Sequence, residues 1–244
     1  MNICIQICSK REWVAVQNLL QINDNSKTDY PFGEYFEYSV DKRCIFYFSG
    51  PTVAKSSPAC QYAIDKWAPR ITIVLGTCGG IAPGIKDFDI IIANKTIYFN
   101  SIESIFCEKR FIYEPLTTTI DNSWINFDEL PIKIHEGTIG TNDHFNNLNA
   151  AEALKDEDVL GIDWESAGIA KVCSVNNVKC CIVRGVSDSL LEIKDESMIN
   201  EQYRKNAPQV MKILLENILP VLLKDMMNLE QDIKFSQGIS EPRN

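Results

Sequence analysis

Apolar and polar positions along this chain follow two alternating periods. Residues 2–8 form a short apolar run that predicts a strand, and residues 10–22 place Trp13, Val14, Val16, Leu19 and Leu20 at helical spacing. Two further strands are expected at 34–40 and 43–49, joined by a tight turn at Asp41-Lys42. A helix over 57–68 stops before Pro69. The β-branched run 70–75 reads as a strand buried on both faces, and Gly76-Thr77-Cys78-Gly79-Gly80 follows it as a loop. Strands are expected at 88–98, 132–139 and 157–162, and helices at 148–155 and 164–176. Residues 178–186 read as another buried strand, and one long helix covers about 197–228. Apolar periodicity fades over 229–244, which predicts a frayed tail. The alternation implies an α/β fold, three-layer α/β/α, with a central mixed, mainly parallel β-sheet. Without repeats, low-complexity stretches or Pro/Gly/Ser linkers, residues 1–228 read as a single domain.

Composition narrows the function. A chain of 244 residues buries enough surface to fold without metal or disulfide. Its net charge of -9 argues against a nucleic-acid binder or an anionic-membrane binder, because both need a basic face. No long apolar run predicts a membrane span, and no basic region precedes the apolar start, so a secretory signal is not expected. The nine cysteines are odd in number, contain no CxxC pair and lie apart from the two histidines, His135 and His144. That pattern disfavours zinc and a disulfide framework and fits free thiols in a reducing cytoplasm.

Ligands of parallel α/β sheets bind beyond the carboxyl ends of strands. Four segments occupy such positions: Ser9 to Glu12, Gly76 to Gly80, Asp163 to Ala167, and Ser187-Asp188. Asp188 stands out, since a carboxylate closing an apolar strand is costly unless it is bonded or functional. Gly76-Thr77-Cys78-Gly79-Gly80 is not GxGxxG and lies mid-chain, which disfavours a dinucleotide-binding oxidoreductase.

Three segments, in this order and spacing, resemble the purine nucleoside phosphorylase and nucleosidase superfamily. They are Gly76-Thr77-Cys78-Gly79-Gly80-Ile81-Ala82-Pro83, Asp163-Trp164-Glu165-Ser166-Ala167-Gly168-Ile169-Ala170 and Val183-Arg184-Gly185-Val186-Ser187-Asp188. Glu12 adds a fourth match, and the resemblance spans about residues 1–225. The branch it most resembles is the 5'-methylthioadenosine/S-adenosylhomocysteine nucleosidases. The resemblance implies a nucleoside phosphorylase-like fold, a homodimer, a small-molecule purine nucleoside and water as reactants, and neither metal nor organic cofactor. It implies that Asp188 protonates the purine at N7 and Glu12 activates the water. Glu165 would hold the ribose hydroxyls and Phe145 would stack on the purine. Thr77, Cys78 and Gly79 would line sugar and base, and Ser187 and Arg184 would support the acid. Such a pair of carboxylates suits N-glycosidic cleavage, whose sugar carries oxocarbenium-like charge and needs an acid and a base on opposite sides of the bond.

Several positions depart from the family pattern. Gly50-Pro51-Thr52-Val53-Ala54-Lys55 replaces the usual Gly-x-Gly-Lys. Trp164 stands where Met is usual, Asn146 where an apolar residue is usual, and Met198 where an aromatic often closes the purine site. Residues 100–130 match no pattern of the family. Phosphorylases of the family carry an Arg where this chain has Val74, and Glu12 suits water better than phosphate. Hydrolysis is therefore favoured, while Lys10 and Arg11 keep phosphorolysis open. The altered 50–55 loop keeps a third possibility, a nucleoside-binding sensor, although a sensor needs neither Asp188 nor Glu12.

Overall fold

The computed structural model describes residues 2–38, 44–99, 117–142, 158–190 and 196–236. Within them the strands are β1 (Ile3–Ile7), β2 (Thr28–Tyr30), β3 (Gly33–Tyr38), β4 (Cys44–Phe48), β5 (Ile71–Gly80), β6 (Ile90–Tyr98), β7 (Thr117–Thr119), β8 (Ile134–Thr141), β9 (Val159–Asp163) and β10 (Lys179–Ser189). The helices are α1 (Lys10–Leu19), α2 (Val53–Trp67), α3 (Ser166–Val175), α4 (Glu196–Ile213) and α5 (Leu219–Ser236). The expected helix at 148–155 lies outside the described residues.

One mixed sheet runs in the order β10-β6-β8-β9-β5-β1-β4-β3-β2, with β7 beside β6. β10, β5, β1 and β4 are parallel, and β6, β8 and β9 form a second parallel block of opposite direction. β10 pairs with β5 as well as β6, and β9 meets the end of β5 at Gly79 and Gly80. The sheet therefore curls into a closed ring at the carboxyl end of β5.

Side-chain alternation sorts the helices into two layers. Ile3, Ile5 and Ile7 of β1 join Ile71, Ile73 and Leu75 of β5 against Trp13, Val210 and Leu214, from α1 and the C-terminal helices. Val74, Cys180 and Ile182 point the other way, onto Cys60 of α2 and Ile169 and Cys173 of α3. The expected three-layer α/β/α arrangement follows, with β5 and β10 buried on both faces.

Four boundaries differ from the sequence expectation, the first being α2, which starts at Val53 rather than at 57. Gly76 to Gly80 stay within β5 because β10 pairs with them throughout. β10 itself runs on to Ser189 through an irregularity between Val186 and Asp188, so Asp188 sits inside the strand rather than after it. The last helix does not end at 228 but reaches Ser236, and it widens into a π-type turn at Leu214–Ile218. Pro220 follows that turn and has no N–H to give the preceding carbonyls, a familiar cause of such a bulge. The eight cysteines within the described residues are free and buried. Among the described residues no helix is long and apolar enough to cross a membrane.

Candidate active site

Glu12 reaches the site through a helix cap. Ser9 ends the β1 connection and caps α1, its Oγ accepting from Glu12 N at 3.1 Å, while Glu12 Oε2 accepts from Ser9 N at 3.2 Å. This reciprocal arrangement fixes the carboxylate at the helix start. Glu12 is only 3 % exposed, and its Oε1 accepts from Thr77 N at 2.8 Å and Thr77 Oγ1 at 2.7 Å. The first turn of α1 is thereby joined to β5.

β9 runs antiparallel to the end of β5, so the chain leaving it returns alongside Cys78 and Thr77. Asp163, at its end, accepts from Thr141 Oγ1 at 2.7 Å and from the amides of Glu165 and Ser166 at 3.2 and 3.1 Å. An Asp gathering the amides that follow it is a turn-forming device, and here it starts α3. Arg184, 1 % exposed on β10, meets Asp163 Oδ2 through Nε at 2.8 Å and Glu165 Oε2 through Nη2 at 3.4 Å. Glu165 Oε1 also accepts from Thr52 N at 3.1 Å. Thr52 holds that amide with φ 76, a left-handed conformation rare for a β-branched residue. The altered 50–55 loop thus contributes a donor to the site. Burial pushes the Glu165 carboxyl up to about 8; Arg184 opposes this, and Asp163 and Glu12 add to it. The rise is the direction the geometry supports, since the guanidinium lies closer to Asp163.

Gly76 makes this packing possible. A Cβ there would overlap Arg184 Nη1 and fall 3.1 Å from Glu12 Oε2. Gly79 does the same for Asp188, whose Oδ2 would lie 3.1 Å from such a carbon.

Asp188 is 4 % exposed, and its Oδ1 accepts from Ser187 Oγ at 2.5 Å. Burial raises its carboxyl to about 6, with Ser187 opposing and Asp87 adding. A carboxylic acid in that range keeps its proton up to about pH 6 and leaves a protonated fraction available near neutral pH. The Cys78 thiol is raised well above its ordinary value by burial, which removes it as a nucleophile.

These groups open on one cavity of about 370 Å³. Its walls include Glu12, Thr77, Cys78, Gly79, Trp164, Glu165, Ser187 and Asp188 from the sequence reading, and also Ser9, Lys10, Pro51, Asp163, Ile199, Asn200 and Tyr203. Among the described residues no group of His, Cys, Asp and Glu is arranged to hold a metal ion. Two expectations are corrected. Met198 is 49 % exposed and outside the cavity; its helix presents Ile199 and, one turn on, Tyr203 instead. Arg184 supports Glu165 and Asp163 rather than the acid, because those two carboxylates engage its guanidinium. Phe145 and Asn146 lie outside the described residues. Sequence reasoning gave no role to Asp163 or Tyr203. Asp163, three residues before Ser166 at a helix start, carried a capping signal. Tyr203, whose hydroxyl donates to Ser9 Oγ at 2.7 Å, carried none.

Fold and site together define an α/β protein with a small-ligand cavity at the carboxyl ends of β1, β5 and β10, walled by four buried carboxylates, Glu12, Asp163, Glu165 and Asp188. The model of the Phosphorylase superfamily matches residues 17–219, and the chain belongs to that family. It is 25% identical over 207 residues to the DeoD-type purine nucleoside phosphorylase of Limosilactobacillus reuteri (strain DSM 20016), covering 84% of this chain and 85% of that one. It is 28% identical over 188 residues to the 5'-methylthioadenosine/S-adenosylhomocysteine nucleosidase of Buchnera aphidicola subsp. Acyrthosiphon pisum (strain APS), covering 70% and 79%. Among solved structures, the futalosine hydrolase of Helicobacter pylori strain 26695 superposes with a TM-score of 0.77 at 18% identity, over 93% of this chain and 97% of that one. The Helicobacter pylori 5'-methylthioadenosine/S-adenosyl homocysteine nucleosidase gives 0.72 at 18% identity, over 88% and 96%. These two likenesses are of fold.

Proposed function

We propose that the chain is a purine nucleosidase that hydrolyses the N-glycosidic bond of an adenine-type nucleoside. 5'-Methylthioadenosine and S-adenosylhomocysteine are the leading substrates, and the products are free base and a ribose derivative. The observation that carries this reading is the placement of two buried carboxylates against the same strand, Glu12 beside Gly76 and Asp188 beside Gly79. Both side chains line the one cavity, which leaves room for a glycosidic carbon and a water between acid and base. Asp188 donates its proton to N7 as the bond to the sugar breaks, and the electron pair goes to the base. Glu12 takes a proton from the water that attacks the sugar carbon. Glu165, beside Glu12 and Arg184, binds the ribose hydroxyls.

Phosphorolysis is the second reading, favoured by the phosphorylase relative and by Lys10 in the cavity wall. Two features weaken it. Lys10 Nζ is paired with Glu34 Oε1 at 3.3 Å, and Val74 is fully buried against the α2–α3 layer. A phosphate site is usually built from Arg. The test is a panel of nucleosides with free-base detection, with and without phosphate. Adenine release that is independent of phosphate is expected. A strict phosphate requirement makes the protein a phosphorylase, and tight binding without base release makes it a sensor. We also propose that it acts as a homodimer in a reducing cytoplasm. Sedimentation as a monomer at micromolar concentration counts against the dimer.

A further inference from the structure

Asp87 lies outside the cavity wall, yet its carboxylate is tied to both sides of the acid, directly to Ser189 and through Asn206 to Ser187. Its Oδ1 accepts from Ser189 Oγ at 3.0 Å, and its Oδ2 accepts from Asn206 Nδ2 at 3.0 Å. The same Asn206 amide donates to the Ser187 carbonyl at 2.8 Å. Ser187 and Ser189 flank Asp188, and the pairing of β10 with β5 shifts at this point. Such irregularities re-aim a side chain, so what holds this one decides where Asp188 points. The backbone just before Ser187 is fastened to the same loop. Phe88 N donates to Val186 O at 2.8 Å and Val186 N to Asp89 O at 2.9 Å. Phe88 adopts φ 71, a strained conformation for a bulky residue that persists only where its surroundings impose it.

We propose that Asp87 is a positioning residue for the acid, acting through Asn206 of α4 and Ser189 of β10 to fix the Ser187–Asp188 segment. The inference rests on the reading of Asp188 as the proton donor. Asn206 is 5 % exposed, so its amide has little water to turn to if Asp87 is lost. The groups that face Asp188 are Ser187 on its own strand, Asp87 on the 81–89 loop and the Cys78 thiol on β5. Asp87 is itself faced by Ser189 and Asn206, while Asp89 of the same loop is paired with His135 Nε2 at 3.3 Å. A carboxylate beside a carboxylic acid also disfavours loss of its proton.

Asp87→Ala and Asn206→Ala should each lower kcat about ten- to a hundredfold, the cost of a misplaced reacting group, with KM within about threefold. The double variant should lose little more than either single one, because the two residues act as one network. Independently of turnover, carbon-13 carboxyl titration of the full-length protein, with the Asp188 signal identified by its loss in Asp188→Asn, should give a lower midpoint in Asp87→Ala than in the parent. Asp87→Asn, which keeps one acceptor, takes its place if the alanine variant does not fold. An unmoved Asp188 midpoint, or kcat losses that simply add, overturns the proposal. If the parent releases no base from any nucleoside, the hydrolase reading fails, while the titration still decides whether Asp87 governs Asp188.

Discussion

Asp188 is where sequence, burial and chemistry meet in one side chain. If it donates a proton to the leaving base, Asp188→Asn keeps the shape and removes the proton. Turnover should fall about 10²- to 10⁴-fold while nucleoside binding changes little, because the lost interaction belongs to the transition state. The parent's kcat/KM should decline as pH rises past about 6, the range to which burial lifts this carboxyl, since only the protonated form is an acid. Initial-rate assays across pH check both. Base release by Asp188→Asn within a few-fold of the parent would return Asp188 to a structural role. Glu12 shows how a residue can be legible yet ambiguous. Its position three after Ser9 suits a capping box, and the box is present, but the carboxylate is also buried against Thr77. Capping and catalysis are served here by the same side chain. The resemblance puts Met198 at the purine, but α4 turns Ile199 and Tyr203 toward the cavity instead.

At the level of elements, the site depends on how closely α2 and α3 approach. Gly168, in the first turn of α3, faces α2. A Cβ there would overlap Ser57 Oγ and lie 2.8 Å from Val53 Cγ1. Those atoms belong to the start of α2, next to Thr52, whose amide holds Glu165. Gly168→Ala should push the two helix starts apart and cost about 1–3 kcal/mol, the usual penalty of overpacking. It should also raise KM, since Thr52 and Glu165 move with them. Urea unfolding and steady-state kinetics on the same variant read both effects, and an unchanged midpoint counts against so tight a contact. The strand-and-helix alternation that predicted the layers was visible because buried parallel strands are continuous apolar runs, as in 70–75 and 178–186. Gly76 to Gly80 look like a turn, and only pairing with β10 and β9 keeps them extended. α2 was expected at 57, because Pro58 hides the turn that precedes it. Asp87 carried no signal at all, since a polar residue in a loop is the ordinary case and its partners lie about a hundred positions away in sequence.

For the molecule as a whole, the buried acids link stability to pH. Glu165 rises from 4.5 to about 8 and Asp188 from 3.8 to about 6, both chiefly through burial. A carboxyl whose folded value exceeds its unfolded one binds a proton in the native state where the unfolded chain has none. Its stabilising contribution is complete below the unfolded value and is lost as pH rises through the folded one. Both groups therefore weaken the fold between about 4.5 and 6, and Glu165 alone continues to do so up to about 8. Each contributes at most about 1.4 kcal/mol per pH unit inside its window. Glu34 works in the opposite sense at acid pH: burial would raise its carboxyl, but Trp13, Lys10 and Lys27 together outweigh it and hold the group below the ordinary value, so its contribution is lost as pH falls. Denaturant unfolding at intervals from pH 5 to 8 should show stability declining toward pH 8. Glu165→Gln cannot titrate, so the slope between pH 6 and 8 should flatten in that variant even if its overall stability is lower. A slope equal to the parent's would mean that Glu165 enters the native site already ionised, held so by Arg184. The ribose contact would then rest on a charged carboxylate throughout the working range.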